Sequence, residues 1–113
     1  MQYMLLIYGD ENAWESATPE EKAAEYKRHS RFGELVQELG GSIISAAPLE
    51  STATATSIRG DLITDGPYVE TKERLGGFYI LEATDLDHVI RMAKYCPSAT
   101  GGVEVRPIVD TSG

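Results

Sequence analysis

The sequence predicts an α+β protein with the ferredoxin-like element order βαββαβ, an antiparallel sheet and an inserted β-hairpin. Three observations predict this fold class. Apolar runs of strand length recur along the chain, two segments combine helical spacing with capping residues, and turns containing glycine or proline separate them. A chain of 113 residues is long enough for one hydrophobic core and too short for two, so residues 1–113 are expected to form a single domain.

The first predicted strand covers residues 3–8, an uninterrupted apolar run that ends before Gly9. This run is too short to cross a membrane, and it lacks the basic start and the small-residue cleavage site of a signal peptide. A polar loop is expected to follow. We therefore expect a strand here, with no membrane-spanning segment or leader.

The first helix has clear start and stop signals and is predicted over residues 19–39. Thr18 is the expected N-cap, Pro19 suits the first helical position, and Glu21 completes a capping box with Thr18. The pair Gly40-Gly41 ends the helix. One stripe at helical spacing carries the apolar residues expected to face the core: Ala24, Phe32, Leu35, Val36 and Leu39.

The second strand is predicted at residues 42–49, and the threonine-rich residues 52–59 are expected to be extended as well. Gly60 and Asp61 reverse the chain, which returns through residues 62–64 as the second half of a hairpin. A strong strand is predicted at residues 77–83.

The Asp65-Gly66-Pro67 sequence predicts a turn between the hairpin and the third core strand. Glycine tolerates a positive φ angle, and the proline ring disfavours helical backbone at the residue before it. Gly66 is therefore expected to adopt a backbone conformation that other residues rarely take.

The second helix is predicted to start after its cap Asp85 and to end before Pro97. His88 is expected to face solvent. A last strand is predicted at residues 103–109, and the tail at residues 110–113 is expected to fray. The buried stripe of this helix is predicted to consist of Leu86, Val89, Ile90 and Ala93.

Both faces of the predicted strands are apolar, although right-handed crossovers place both helices on the same face. A half-exposed antiparallel sheet normally alternates apolar and polar residues, and a bare apolar sheet would be a large sticky patch. The sequence therefore predicts that a second copy of the chain covers the other face, as a two-fold homodimer. The alternation puts Tyr3, Leu5 and Ile7 opposite Met4, Leu6 and Tyr8, and Phe78 and Ile80 opposite Tyr79 and Leu81.

The net charge of −8 and the single cysteine exclude several classes of partner and site. A polyanion such as DNA and an anionic membrane surface would both be repelled. Cys96 cannot form an internal disulfide, which favours a reducing, cytoplasmic location. No Cys/His/carboxylate cluster and no phosphate-binding or nucleophile-elbow motif is present, so no metal and no cofactor is expected.

His29 is the first candidate for a catalytic residue, because it lies at the border of the apolar stripe close to Glu25 and Arg28. Two charged residues inside an apolar stripe indicate a polar pocket, in which a histidine titrates near neutral pH and serves as acid or base. The alternative is a solvated histidine at the edge of a packed helix.

Four further residues are candidates for a functional site, and each of them also has a purely structural interpretation. Asp65 is either a catalytic carboxylate or the side chain that stabilises its own turn. Tyr68 and Tyr79 either bind a ligand or belong to the core and the dimer interface. Arg106 either binds a ligand carboxylate or pairs with Glu104 or Glu82.

The chain as a whole resembles the DGPF group within the YCII-related family. Tyr68 stands where the name of the group has Phe, which keeps the aromatic ring. The resemblance implies a dimeric α/β barrel of two ferredoxin-like subunits, in agreement with the two apolar sheet faces. It rests on Tyr3-Met4-Leu5-Leu6-Ile7-Tyr8, Asp65-Gly66-Pro67, Glu70-Thr71-Lys72-Glu73, Leu75-Gly76-Gly77-Phe78-Tyr79 and Val103-Glu104-Val105-Arg106-Pro107.

The resemblance also implies classes of function. The wider superfamily includes isomerases, lyases and monooxygenases that act on small, often aromatic molecules. The resemblance implies a His–Asp pair in which His29 is the histidine, whereas Cys96 stands where the aspartate is expected. A His29-dependent lyase or isomerase, simple binding of a small aromatic or carboxylate ligand, and a non-catalytic accessory role beside a sigma factor are the three implied alternatives.

Overall fold

The structure is a computed structural model that describes residues 1–112. A short 3₁₀ turn at Thr52–Thr54 interrupts the region between the second and third strands. The described helices and strands are β1 Gln2–Gly9, α1 Glu11–Glu15, α2 Pro19–Glu38, β2 Ser42–Pro48, β3 Thr56–Arg59, β4 Leu62–Asp65, β5 Arg74–Glu82, α3 Leu86–Ala93 and β6 Gly102–Pro107.

The core of the fold is a four-stranded sheet with the order β2-β5-β1-β6, in which all neighbours are antiparallel. β3 and β4 pair only with each other and form a separate hairpin. This is the split βαβ arrangement, since β5 lies between the two strands that α2 connects. The predicted α+β, ferredoxin-like class with an inserted hairpin is confirmed.

The hydrophobic core lies between the two longer helices and one face of the sheet, which we call the inner face. Cross-strand partners point to the same side, so the register places Leu5 with Tyr79 and Val105, and Tyr3 with Leu81, on this face. The buried core residues are Tyr3, Leu5, Phe32, Val36, Tyr79, Leu81, Ala83, Val89, Met92 and Cys96.

Helix α2 begins as the sequence predicts. The Thr18 side chain accepts a hydrogen bond from the Glu21 amide, and the Glu21 carboxylate accepts one from the Thr18 amide. Its buried surface is shorter than the predicted stripe: Phe32 and Val36 are buried, whereas Ala24 and Leu39 are exposed. The helix therefore contacts the sheet mainly through its C-terminal half.

Two segments differ from the prediction in their local structure. The expected polar loop contains α1, because the Asp10 carboxylate accepts hydrogen bonds from the amides of Asn12 and Ala13 and caps a short helix. The 3₁₀ turn replaces the first half of the extended segment expected at 52–59, because the Ser51 hydroxyl accepts from the Ala53 amide and starts a turn.

The orientation of α3 is the main error of the sequence prediction. His88 is buried and does not face solvent, whereas Leu86 and Ile90 of the predicted stripe are exposed. The His88 ring satisfies both nitrogens: Nε2 lies 2.7 Å from the Leu39 carbonyl oxygen, and Nδ1 lies 3.0 Å from the Thr84 amide. Because a buried histidine needs such partners, these contacts explain the rotated helix and join its start to the end of α2.

The opposite face of the sheet, here called the outer face, has no helix over it. Arg106 and Glu104 form an ion pair beside the apolar centre of this face, across from Met4 and Leu6. The principal-axis extents of 43 × 41 × 18 Å are those of a thin slab, as expected for one sheet with helices on one side only. The half-buried apolar side chains of the outer face are Met4, Leu6, Tyr8, Phe78 and Ile80.

The β3–β4 hairpin and the turn after it, residues 55–69, project from the end of the sheet and are called the arm below. The radius of gyration is 15.5 Å, whereas a compact domain of this length has about 13 Å. Gly66 has a φ angle of 106°, so the positive φ expected in the turn is confirmed.

Removal of the His88 ring should destabilise the fold because its hydrogen bonds join two helices. In His88→Ala the part-buried Leu39 carbonyl loses its donor, which costs about 1 kcal/mol in the free energy of unfolding. His88→Gln retains an amide that donates to the same carbonyl and should lose less. Urea unfolding followed by circular dichroism measures both variants, and equal stability of His88→Ala and the wild type would contradict the role.

Candidate functional site

His29 and Tyr79 form the polar pair on which the candidate site is built. The His29 Nδ1 atom lies 2.7 Å from the Tyr79 hydroxyl oxygen, and the two rings are stacked with centroids 5.8 Å apart. Tyr79 comes from the inner face of β5 and His29 from the middle of α2. The structure therefore brings together two of the five residues that the sequence predicts for the site.

Tyr79 is held in place by the packing of α2. The Phe32 ring contacts it edge-on with centroids 4.9 Å apart, on the helical turn that follows His29. Burial, with a smaller contribution from Cys96, raises the pKa of Tyr79 to about 12. The phenol is therefore protonated near neutral pH and carries a proton that it can donate to an unprotonated His29 Nδ1.

Glu25 lies on the other side of His29. Its Oε1 atom is 3.6 Å from His29 Nε2, and its Oε2 atom accepts a hydrogen bond of 2.6 Å from Arg28. The Glu25 side chain is only 13% exposed. Because an ionised carboxylate can only accept, we assign the proton of the neutral ring to Nε2, facing Glu25, which leaves Nδ1 to accept from Tyr79. The structure therefore brings His29, Glu25 and Arg28 together in one polar cluster.

His29 is neutral near neutral pH. Burial lowers its pKa below the ordinary value of 6.5, Glu25 opposes this effect, and Arg28 adds to it. The side chain keeps 26% of its surface exposed. A neutral imidazole with Nδ1 fixed and Nε2–H at an accessible edge is suited to donate a hydrogen bond to Glu25 or to a ligand.

Cys96 belongs to the core beside this pair and is an unreactive thiol. Burial, followed by the negative charge of Glu25, raises its pKa to about 12. The thiol is therefore protonated near neutral pH. Cys96 occupies the position at which the family resemblance implies an aspartate. The carboxylate that faces His29 is instead Glu25, which comes from the same helix.

A cleft of about 340 Å³ opens next to Glu25, between α2 and the segment that follows α3. This volume lies in the range of small-molecule pockets. The floor is apolar and the mouth carries two guanidinium groups. The lining residues are Glu25, Arg28, Arg31, Phe32, Leu35, Tyr95, Pro97, Ser98 and Ala99. The wall formed by Tyr95, Pro97, Ser98 and Ala99 was not predicted from the sequence. These residues approach α2 only in the folded chain, because they lie far from it in sequence.

The remaining candidates lie away from this cluster. Asp65 ends β4 and is exposed, and a backbone bond from Gly66 to Ala55 closes its turn. Tyr68 is exposed on the arm, where the Arg59 guanidinium lies 3.9 Å from the centroid of its ring. Within one subunit, neither residue is among those that contact His29 or line the cleft.

Arg106 lies on the outer face of the sheet, on the side opposite His29. Its guanidinium lies 2.6 Å from the Glu104 carboxylate. Of the two structural partners expected for Arg106, Glu104 and Glu82, the structure shows Glu104. The Arg106 side chain is highly exposed, so such a pair contributes little to stability. The ligand-binding role of Arg106 stays a prediction.

The described part of the chain was also compared with the requirements of a metal site and of a membrane-spanning helix. Within residues 1–112, no three His, Cys, Asp or Glu side chains lie close enough together to hold a metal ion. None of the helices in this part of the chain has the length and apolar character needed to cross a bilayer.

Comparison with known proteins gives two matches. The profile of the family described as "YCII-related domain" matches residues 1–112. An uncharacterized protein of Rhizobium meliloti (strain 1021) is 32% identical over 114 residues, which cover 96% of this chain and 92% of the relative.

The Glu25 carboxylate should control the pKa of His29. In Glu25→Gln the negative charge is lost and Arg28 loses its partner, so the pKa of His29 should fall further below its ordinary value. NMR titration of the ring protons measures this shift. Glu34→Gln, an exposed glutamate on the same helix, is the matched control and should leave the pKa unchanged. An unchanged or raised pKa in Glu25→Gln would refute the contact.

Cys96 should resist alkylation while the protein is folded. A buried thiol with a pKa of about 12 has almost no thiolate near neutral pH, so its reaction with iodoacetamide should be more than about 100-fold slower than in the unfolded chain. Mass spectrometry with and without denaturant measures both rates. Similar rates in the two states would show that the thiol is exposed and reactive.

Proposed function

The chain belongs to the YCII-related domain family, and from this premise we propose that it binds a small aromatic molecule at the site built around His29. The observation that carries the proposal is the neutral His29 ring, fixed by Tyr79 on one nitrogen and facing Glu25 beside an apolar cleft on the other. Packing of α2 against the sheet does not by itself require the polar groups of His29, Tyr79 and Glu25 to meet at one place.

The chemistry of the cleft supports an aromatic ligand. Phe32, Leu35 and Tyr95 offer flat apolar surface, against which a ring packs favourably. Arg28 and Arg31 at the mouth have guanidinium groups that bind carboxylates. Both already pair with glutamates, so a carboxylate on the ligand would have to share them.

A His29-dependent proton transfer is the catalytic form of this proposal. The Glu25 carboxylate lines the cleft and takes up the proton, and His29 Nε2–H faces this carboxylate and orients it. Tyr79 holds the ring in one orientation throughout, and its own proton stays on the phenol. Isomerases and lyases both use such a step, in which a proton leaves a carbon atom of the substrate.

A homodimer that buries the outer face of the sheet is the proposed assembly. Phe78, Ile80 and Leu6 have no cover within the subunit, and a second sheet related by a two-fold axis would shield them from water. The proposed compartment is the cytoplasm, where the Cys96 thiol stays reduced.

An accessory role through protein partners is the second candidate function. The net charge of −8 supports it, because an acidic surface accelerates association with basic partners. Asp65, Tyr68 and Arg106 are exposed and free to take part in such a contact as well as in ligand binding.

A screen of small aromatic molecules tests the proposal directly. A bound compound at about 100 times its Kd stabilises the folded state by about 2.7 kcal/mol, which appears as a rise of several degrees in Tm. Compounds that raise the Tm of the wild type should lose this effect in His29→Ala, since His29 contacts Glu25, which lines the cleft.

Lys27→Ala is the matched control for this screen, because Lys27 is an exposed residue of the same helix. It should respond to each compound as the wild type does. Compounds that stabilise His29→Ala and the wild type equally would refute the site, and a complete lack of response together with capture of one specific protein would favour the accessory role.

A further inference from the structure

The arm exposes more apolar surface than an isolated subunit has reason to expose. Ile58 and Ile63 are directly opposite each other in the hairpin and point to the same side. The five large apolar side chains of the arm are between 58% and 67% exposed. They are Ile58, Leu62, Ile63, Tyr68 and Val69.

Internal contacts hold the arm in a defined shape. The Ser57 hydroxyl donates to the Gly66 carbonyl at 2.7 Å, and the Arg59 guanidinium stacks on the Tyr68 ring while donating to its hydroxyl at 3.1 Å. A two-stranded hairpin alone is marginally stable in water, so these contacts are needed to preserve its shape. The arm is therefore preorganised to bind a partner with little loss of entropy.

The base of the arm is tied to the body of the subunit. The Glu11 carboxylate accepts 2.7 Å hydrogen bonds from both the amide and the hydroxyl of Thr52, and Arg74 donates to the same hydroxyl at 3.2 Å. These contacts fix the point at which the arm leaves the sheet. Its direction is a property of the fold and not of a flexible loop.

A dimer through the outer face would gain apolar area from the arm. The apolar side chains of that face are half-buried, whereas those of the arm are between 58% and 67% exposed, and a standard interface buries about 800 Å² on each partner. The arm leaves the sheet after Pro48 and returns at Arg74, so it extends past the end of the two neighbouring strands β2 and β5.

We propose that the arm binds a second copy of this chain, packing its Ile58 and Ile63 side against the end of that copy's outer sheet face. The inference rests on the homodimer proposed above and adds to it the segment that locks the two subunits together. When two slabs stack by their outer faces, a segment that overhangs the end of one sheet lies beside the other.

This placement gives the Asp65-Gly66-Pro67 turn a role. The turn closes the arm through the Gly66 amide, which donates to the Ala55 carbonyl at 2.8 Å. Its positive φ requires glycine, and its proline rigidifies the return to β5. The turn sets the shape of an interface segment, and Tyr68 with its stacked Arg59 belongs to the same surface.

The double variant Ile58→Ser/Ile63→Ser tests the inference by sedimentation equilibrium. The dimer should dissociate with a Kd at least about tenfold higher than that of the wild type, which corresponds to about 1.4 kcal/mol. Leu86→Ser, a half-exposed leucine on the helical side of the subunit, is the matched control and should leave the Kd unchanged. Circular dichroism checks that each variant is folded.

An outer-face variant, Ile80→Arg, separates failure of the arm from failure of the dimer. If Ile80→Arg is monomeric while the arm variant dimerises like the wild type, the homodimer stands and the arm inference is overturned. A monomeric wild type would overturn both. If the arm variant does not fold, intermolecular NOEs in mixed-labelled wild type decide, and their absence between the Ile58 or Ile63 methyls and Phe78 protons would overturn the inference.

Discussion

The contact between α2 and Tyr79 is the interaction on which the rest of the site depends. Phe32 packs against the edge of the Tyr79 ring, and this packing holds the adjacent His29 at hydrogen-bond distance from the phenol. A buried hydroxyl needs a partner, and His29 provides it. The same burial lowers the pKa of His29 and raises that of Tyr79, so one packing contact sets both protonation states.

The two faces of the sheet serve different purposes. The inner face meets both longer helices and carries the polar pair, while the outer face has an apolar centre with the Glu104–Arg106 pair at its side. Burial on the inner side explains the site, and lack of cover on the outer side explains the proposed dimer. The Asp65-Gly66-Pro67 turn, the most distinctive turn in the sequence, lies on the arm and not beside His29.

Much of the fold was predictable because its signals are local. The capping box of Thr18 and Glu21, the cap at Asp85 and the apolar strands all act within a few residues of the chain. The neighbourhood of His29 and Glu25 was also predictable, since one helical turn separates them. The burial of His88 was not, because its partner Leu39 lies far away in sequence. The position of Tyr68 was not predicted either, because the hairpin carries it away from Tyr79 and its ring stacks with Arg59 of the same hairpin.

The most direct test of this account is the tautomer of the His29 ring, read from its nitrogen-15 chemical shifts at about pH 7. The account predicts a neutral ring with an unprotonated Nδ1, which accepts from Tyr79, and a proton on Nε2. Tyr79→Phe should weaken this preference, since the phenol no longer donates to Nδ1 while Glu25 still faces Nε2. A protonated Nδ1 in the wild type, or an imidazolium at the same pH, would contradict the account.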